Sequence, residues 1–408
     1  MSSADPIAVL EIGTSNTVLA VGEALPNGRV RVASIESVAS CAVRKSQILD
    51  IAQVSNLLVS LLRHLADNTD YSIGTANLLV SGTQIRTKVL TNQVAVDDGV
   101  VREEHLGDVN DAALAETLRS ADHVALELEP IGYRLDDIDG IDSPRGMNGK
   151  LLTLRSLCVS GSRARIKDAQ TAAFNAKLEV KDNQVYFTGT CAAAAVLTPR
   201  HKQNGALVID LGGGTTSFTV WHAGHLVQAG VVGVGGDHVT NDIQSAFAIP
   251  QRQAEQIKTT AAAALVRAND GAPRITVPDP MPGSKAATIS RRALDTVVNA
   301  RLQELFTVIR DRIDQENHLH SLNAGVFLTG GGALMPGIVE LARTVFGCGA
   351  QLGALIPEIE GMDALVPPRP AVAHAAHVGL LYLVQLENRQ KPGAFESLSH
   401  FFKGLFRT

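Results

Sequence analysis

A glycine-rich hairpin motif at residues 208–220 constrains the fold of this chain more than any other stretch. The motif reads V-I-D-L-G-G-G-T-T-S-F-T-V, and between its two apolar runs lie Asp210, Gly212, Gly213, Gly214, Thr215 and Thr216. Two apolar runs around such a turn predict a β-hairpin. Because glycines carry no Cβ, the N–H groups of the turn can converge on an anion such as a phosphate. A tight hairpin without any ligand is the alternative.

Asp210, which precedes the turn, suggests how a phosphate would be held. A carboxylate repels a phosphate directly, but it can hold a water molecule of a bridging Mg²⁺ ion, because Mg²⁺ prefers oxygen ligands and keeps much of its water shell. We therefore expect Asp210 to organise Mg²⁺ through water, and the glycines and threonines of the turn to contact phosphate.

A second copy of the pattern lies near the start of the chain. Residues 7–22, I-A-V-L-E-I-G-T-S-N-T-V-L-A-V-G, again place an apolar strand before a carboxylate and a polar turn, here formed by Glu11, Gly13, Thr14, Ser15 and Asn16. Two copies predict two similar halves that face each other across a cleft. Hairpins from opposed halves can grip one polyphosphate from both sides, so the pair favours nucleotide binding, with Glu11 and Asp210 as the catalytic candidates.

Further glycines begin helices in the second half. A strand at 323–328 is followed by Gly330, Gly331 and Gly332 and by a helix past 336–337, which places backbone donors and a flat surface together. Gly236 opens a helix that is expected to reach about residue 247. The next helix carries Glu255 and Lys258, spaced i, i+3. Such a pair is usually a weak surface salt bridge, but on a cleft wall it could bind a ribose.

The remaining pattern predicts a mixed α/β protein. Strands are expected at 30–38, 77–81, 179–188 and 227–234, and helices at 51–65, 163–176, 190–197, 289–318 and 367–386, with irregular structure over 270–285. Residues 83–160 differ, since strands at 88–96, 131–135 and 151–159 surround one helix at 103–119 and indicate an inserted α+β subdomain. Its clustered acidic residues form either a solvated face or a contact surface. His374 and His377 share an alanine-rich helical face and are expected in the core.

Composition narrows the function classes. The net charge of −5 and the absence of basic residues interleaved with aromatics argue against nucleic-acid binding. Residues 1–6 do not resemble a signal peptide, and no run of 18 apolar residues predicts a membrane span. The four cysteines are scattered singly, which favours reduced thiols in a cytoplasm.

The last fourteen residues form a separate amphipathic segment after a polar linker. One stripe holds Phe395, Leu398, Phe401, Phe402, Leu405 and Phe406, and the polar face carries Lys403 and Arg407. A terminal helix that docks on its own core is the alternative. Rings with nearby basic groups suit a helix that lies in a bilayer interface with anionic lipids. One such helix binds weakly, so firm attachment would need several linked copies.

These motifs together resemble a known family. The order of the D/E-x-G-T hairpin, the D-L-G-G-G-T hairpin and T-G-G-G before a helix is that of the actin/Hsp70/sugar-kinase fold. Within it, L-E-I-G-T at 10–14, the insertion, A-E-Q-I-K at 254–258, L-T-G-G-G at 328–332 and the terminal helix are similar to bacterial FtsA. The resemblance covers essentially the whole chain. It implies a cell-division protein that binds ATP and Mg²⁺, polymerises with itself and tethers FtsZ filaments to the cytoplasmic face of the inner membrane at the division site.

The resemblance also implies an assignment of domains. Residues 1–82, 161–204 and 360–387 would form actin-like domain I, 83–160 the inserted subdomain, and 205–359 domain II with a helical subdomain at about 236–320. A linker at 388–394 and the amphipathic membrane helix at 395–408 would follow. The insert would serve protomer contacts and later division proteins, and the FtsZ C-terminal tail would dock beside the long helix at Arg301.

Two departures from the family pattern concern catalysis. Asn16 stands where many relatives have lysine, and Ser217 stands where a second carboxylate often follows the glycine turn. A hydroxyl cannot organise Mg²⁺ or act as a general base as a carboxylate does. The sequence therefore predicts ATP binding with slow or negligible hydrolysis. This weak carboxylate set disfavours a small-molecule kinase of the same fold. The absence of a substrate-binding domain after residue 390 disfavours a chaperone of the same fold. A related pilus-assembly adaptor would lack the tail.

Overall fold

Short apolar strands alternate with amphipathic helices along the chain, and the strands form three main sheets. The structure is a computed structural model that describes residues 6–266, 274–277, 288–365 and 370–389. In chain order the strands are β1 (Ile7–Ile12), β2 (Asn16–Ala24), β3 (Val30–Ala39), β4 (Val43–Arg44), β5 (Gln47–Ile48), β6 (Asn77–Val80), β7 (Arg86–Ala95), β8 (His123–Leu135), β9 (Ile138–Ile141), β10 (Leu151–Ser162), β11 (Val185–Phe187), β12 (Ala206–Leu211), β13 (Thr216–His222), β14 (His225–Val232), β15 (Arg274–Thr276), β16 (Thr288–Ser290), β17 (Gly325–Thr329), β18 (Ala350–Leu352) and β19 (Ile359–Glu360).

Most of the α-helices pack against the two larger sheets. In chain order they are α1 (Ile51–Asn68), α2 (Glu103–Thr117), α3 (Arg163–Asn175), α4 (Thr188–Val196), α5 (Pro199–Asn204), α6 (Gly236–Phe247), α7 (Gln251–Ala261), α8 (Arg291–Gln315), α9 (Ile338–Phe346) and α10 (Ala375–Arg389).

The two larger sheets repeat one local topology. The first has the order β11-β6-β1-β2-β3-β19, and the second has the order β14-β13-β12-β17-β18. In each sheet a central strand, β1 or β12, is the first strand of an antiparallel hairpin and pairs on its other side with a parallel strand, β6 or β17. The predicted hairpins are therefore confirmed, and each occupies the same place in its own half.

Helix α4 fills the space between the halves. All nine of its residues are buried, and it packs against α10, β12 and β13. A Cβ on Gly379 of α10 would collide with the carbonyl oxygen of Cys191 in α4. The two helix backbones approach this closely because one carries glycine and the other small residues. The alanine-rich segment thus serves packing between the two halves.

The inserted segment has its own sheet and its own small core. Strands β7, β10, β8 and β9 lie side by side in that order, and α2 packs on β7 and β10. The enclosed apolar side chains are Val96, Val101, Val109, Ala113, Leu135, Leu152 and Leu154. The α+β character expected for this part of the chain is confirmed, although β8 begins at His123 rather than at 131.

Several helix and strand boundaries differ from the prediction. The strand expected over 179–188 is limited to β11, because Lys181 and Gln184 form a turn that interrupts it. The long helix begins at Arg291 rather than 289, and part of the expected irregular segment is strand. The cause is a short hairpin in which Ile275 pairs with Ile289, both β-branched.

The last helix also begins and ends later than predicted. The segment Ala371–His374 is a 3₁₀ turn, and α10 begins only at Ala375, because Pro370 precedes the turn and cannot donate a backbone hydrogen bond. Its end at Arg389 places 388 and 389 in helix rather than in a linker. Strand β19 includes Ile359, so the first sheet takes one residue that we assigned to domain II.

Candidate functional site

The two glycine turns have the same backbone geometry. The N–H of Gly13 donates to the carbonyl of Asn16 at 3.1 Å, and the N–H of Gly212 donates to that of Thr215 at 3.1 Å. A Cβ on Gly13 would lie 2.7 Å from the Asn16 oxygen, and one on Gly212 would lie 2.8 Å from the Thr215 oxygen. Each turn therefore closes only if its first residue is glycine.

The tips of the two turns contact each other. A Cβ on Gly213 would collide with Oγ of Ser15, and a Cβ on Gly214 would collide with Oγ1 of Thr14. Ser15 also donates from Oγ to Oδ1 of Asp237 at 3.2 Å, which joins the first hairpin to the start of α6. The predicted residues of both turns are thus brought to one place.

Two carboxylates lie at the bases of the turns, each near the end of a central strand. Asp210 accepts a hydrogen bond from Oγ1 of Thr329 at 3.1 Å. Burial and the nearby charge of Glu11 raise the pKa of Asp210 to about 7. Two neighbouring carboxylates form a place where a cation is stabilising.

The third glycine turn rests on the second hairpin. Gly330 has φ +82, and a Cβ there would lie 2.7 Å from the backbone nitrogen of Leu211 and 2.9 Å from Oδ1 of Asp210. A Cβ on Gly332 would lie 2.8 Å from the Cβ of Leu211, whereas a Cβ on Gly331 would meet nothing within 4 Å. Gly331 therefore leaves an open, flat surface beside the carboxylates.

Helices α6 and α7 form the other wall. The N–H groups of Gly236 and Asp237 donate to the carbonyls of the second turn at 3.0 and 2.8 Å. Lys258 Nζ lies 2.7 Å from Oε2 of Glu255 and donates to Oγ1 of Thr240 at 2.9 Å and to the Gly236 carbonyl at 3.1 Å. The Lys258 side chain is 11% exposed and that of Glu255 is 47% exposed. Lys258 therefore braces the wall, and Glu255 faces the cleft.

A cleft of about 440 Å³ lies between the first turn and this wall. Its volume is in the range of roughly 300–1,000 Å³ that is usual for ligand pockets. The lining residues are Ser15, Asn16, Asp237, Thr240, Gln251, Arg252 and Glu255. The sequence analysis missed Asp237, Thr240, Gln251 and Arg252 as site residues. The G-G-D start of α6 was the available signal for Asp237, and no motif marked the others.

Hydroxyl groups occupy the position of the missing carboxylate. Ser217 is 1% exposed, and its Oγ lies 2.9 Å from Oγ of Ser81, which also lies 3.3 Å from Oγ1 of Thr215. Ser81 directly follows β6 and precedes the insert, and no sequence motif marks it as a site residue. The site is thus closed by neutral hydroxyls on this side.

The donor set fits a Mg²⁺ ion that is held mainly by water and phosphate. Within residues 6–266, 274–277, 288–365 and 370–389, no group of three or more His, Cys, Asp or Glu side chains could hold a metal ion alone. Asp210 and Glu11 supply oxygen, the ligand type that Mg²⁺ prefers. This arrangement suits an ion that enters with a phosphate ligand.

His377, which we expected only to fill the core, also belongs to this region. The residue is 4% exposed on α10, and its Nε2 lies 2.8 Å from Oε2 of Glu11. The sequence pattern predicted its burial but not its contact with Glu11.

Arg301 lies on α8, outside the cleft lining. Its Nε and one terminal nitrogen contact both carboxylate oxygens of Asp242 on α6 at 2.6 and 3.0 Å. The other terminal nitrogen donates to Oε2 of Glu304 at 2.6 Å, and the side chain is 25% exposed. The guanidinium is therefore held in a fixed, partly exposed orientation.

The predicted membrane segment lies outside the described residues, and so do Phe395, Leu398, Phe401, Phe402, Lys403, Leu405, Phe406 and Arg407. None of the described helices combines the length and apolar character needed to cross a bilayer.

Comparison with known proteins identifies the family. The model for the SHS2 domain inserted in FtsA matches residues 82–160, and the model for cell division protein FtsA matches residues 207–374. The cell division protein FtsA of Pseudomonas aeruginosa is 30% identical over 86% of this chain and 84% of the relative. The chain belongs to the FtsA family. The FtsA of Escherichia coli K12 is 28% identical over 85% of this chain and 83% of its own length.

Solved structures show that this FtsA-family chain has the actin-like fold. The PilM-PilN type IV pilus biogenesis complex matches with a TM-score of 0.64 at 14% identity, covering 92% of this chain and 97% of the other. MreB5 of Spiroplasma citri bound to ADP matches with a TM-score of 0.52 at 14% identity, covering 95% and 99%. The FtsA family relationship and this fold together assign the chain an actin-like role in cell division.

Proposed function

We propose that this FtsA-family protein binds ATP with Mg²⁺ in the cleft between its two sheets. The observation that carries the proposal is the meeting of three glycine turns around Asp210 and Glu11. The glycines let the turns pack closely together, Gly331 leaves backbone open beside them, and the carboxylates supply oxygen for a cation. The ADP-bound MreB5 of Spiroplasma citri, which has the same fold, supports this choice of ligand.

We assign each group of site residues to the part of the nucleotide that its position would face. Glycines and hydroxyls of the two hairpin turns would contact the phosphates, and Asp210 would hold a water molecule of the Mg²⁺ ion. Glu255 would contact the ribose from the α7 wall, with Lys258 bracing it. The backbone at 330–332 would pack against the base.

Titration with ATP tests this assignment. We expect saturable binding that Mg²⁺ strengthens, measured by calorimetry with excess Mg²⁺ and with a chelator. In the Asp210→Asn variant the Mg²⁺-dependent part of the affinity should fall, and the affinity in chelator should not, because the amide removes the charge but retains the size of the side chain. Equal loss under both conditions would argue against the Mg²⁺ role of Asp210.

We propose further that ATP turnover is slow. Ser217 and Ser81 place neutral hydroxyls where a carboxylate would otherwise organise the attacking water, and Asn16 adds no positive charge to the phosphate site. Steady-state phosphate release should remain far below one turnover per second. Brisk release under saturating ATP would refute this part of the proposal.

The protein is proposed to act as a membrane tether for FtsZ. The aromatic and basic tail at 395–408 would lie in the inner-membrane interface on the cytoplasmic side, and self-association into polymers would multiply its weak individual binding. The insert, assigned to 83–160, would serve protomer contacts and later division proteins. Co-sedimentation with anionic vesicles should pellet the full chain and leave a 1–393 truncation in solution. Equal behaviour of the two would contradict the anchor.

Arg301 is the proposed contact for the FtsZ tail. A carboxylate of that tail would compete with Asp242 and Glu304 for the guanidinium, which is already partly exposed beside α6. The alternative functions are weaker. A small-molecule kinase would need a general base, which Ser217 does not supply. A pilus-assembly adaptor shares the fold, but the sequence relatives and the tail favour the FtsA role.

A further inference from the structure

His377 occupies a position where an apolar residue would pack without penalty. Its neighbours on α10, Ala376 and Val378, are 4% and 0% exposed, and His377 itself is 4% exposed. In the described part of the chain neither ring nitrogen has a hydrogen-bond partner of good orientation. A buried polar group without such a partner destabilises a fold by about 1–3 kcal/mol. The imidazole therefore opposes stability unless a neighbouring group makes use of it.

That neighbouring group is the carboxylate of Glu11. His377 Nε2 lies 2.8 Å from Oε2 of Glu11, so the two are in close polar contact even though the ring is not ideally oriented. The other oxygen of the carboxylate, Oε1, lies next to the first turn, 3.6 Å from the position of a Cβ on Gly13. The imidazole thus holds one oxygen of Glu11 while the other lies beside the turn.

The third glycine turn fixes the start of α10. The N–H of Gly330 donates to the carbonyl of Val372 at 2.9 Å, in the 3₁₀ turn that leads directly into the helix. Val372 precedes His377 by little more than one helical turn. His377, Glu11 and Asp210 therefore belong to one connected group that spans both sheets.

We propose that His377 is a positioning residue of the nucleotide site, which orients the Glu11 carboxylate and thereby sets the affinity for ATP in its Mg²⁺ complex. The inference rests on the proposed ATP binding. Removing a side chain that orients a carboxylate near a metal commonly lowers the metal affinity by about 10–100-fold. His377 touches Glu11 and has no assigned contact with the nucleotide, so it acts through that carboxylate.

Three variants separate positioning from packing. His377→Leu keeps the size and removes the polar group, and His377→Gln keeps an N–H donor near the place of Nε2. His374→Leu is the control for packing, because its ring lies 5.3 Å from that of His377 on the neighbouring turn. Each full-length variant is titrated with ATP in excess Mg²⁺ and in chelator, and its melting temperature is measured without nucleotide.

We expect H377L to weaken Mg²⁺-dependent ATP binding by about tenfold and to leave binding in chelator unchanged. Its nucleotide-free melting temperature should be equal to or above that of the wild type, since the unsatisfied imidazole is gone. H377Q should retain most of the Mg²⁺ effect, and H374L should retain all of it.

Two results would overturn the inference while leaving ATP binding intact. One is an unchanged Mg²⁺ effect in H377L, and the other is an equal loss in H374L, which would indicate general packing. A wild type that binds no ATP in either condition would overturn the proposed function itself, together with this inference.

Discussion

The buried carboxylate of Glu127 makes a quantitative prediction about stability and pH. Glu127 lies on β8 of the insert, is 3% exposed and accepts a hydrogen bond from Thr190 of α4. Burial raises the pKa of Glu127 to about 8, and the charge of Glu129 adds to the effect. In the unfolded chain the same group titrates at about 4.3. Between these values the folded protein retains a proton that the unfolded chain has lost.

The sign and size of the effect follow from this difference. The stabilising contribution of protonated Glu127 is fully present below about pH 4 and is lost as the pH rises through about 8. At about 1.36 kcal/mol per pKa unit, a rise of three to four units corresponds to roughly 4–5 kcal/mol. The Glu127→Gln variant is neutral at every pH, so it should lack this loss and should be more stable than the wild type at pH 9.

Urea unfolding at several pH values between 5 and 9 measures the difference. The chain has a single tryptophan. This residue is Trp221, and the ammonium group of Lys202 lies 4.2 Å from the centre of its ring. Lys202 in turn interacts electrostatically with Glu129. Its fluorescence therefore reports on the region where the insert meets the second sheet.

Glu116→Gln is the matched control within the same insert. Hydrogen bonds from Lys88 and Asn92 lower the pKa of Glu116, so its contribution is lost as the pH falls. E116Q should therefore gain no stability at pH 9. Parallel pH curves for E127Q and the wild type would refute the reasoning.

Two further predictions concern the site and the partner surface. Gly213→Val should weaken ATP binding at least about tenfold, because the valine side chain would collide with Ser15 where the two turns meet. The control is Gly349→Ala, where a Cβ meets nothing within 4 Å, and this variant should bind ATP normally by calorimetry. Arg301→Lys should lose the two-point contact with Asp242 and bind an FtsZ tail peptide more weakly in fluorescence anisotropy. Unchanged peptide affinity would remove Arg301 from the partner surface.

The hairpins could be predicted from the sequence because their signals are local. The glycine turns, the alternating apolar runs and the carboxylates at 11 and 210 all lie within short stretches. The approach of the two hairpin turns was also foreseeable, since a repeated motif implies two equivalent halves. The insert was also predictable from the change of pattern over residues 83–160, and the structure shows its separate core.

The residues that were missed depend on contacts between distant segments. Ser81 gains its place only when β6 meets the second hairpin, and His377 gains its place only when α10 passes the end of β1. In the sequence one is a serine after a strand, and the other is a histidine among alanines. The boundary errors have a similar origin, since Ile289 is a strand residue because Ile275 pairs with it.

The most direct test of the proposed function joins the membrane and partner roles in one measurement. A fluorescent FtsZ C-terminal tail peptide is mixed with anionic vesicles, ATP, Mg²⁺ and either the full chain or the 1–393 truncation, and the peptide in the vesicle pellet is measured. We predict that the full chain carries the peptide into the pellet and that the truncation leaves it in solution, although both bind the peptide without vesicles. Equal peptide in the two pellets, or none with the full chain, would contradict the tether.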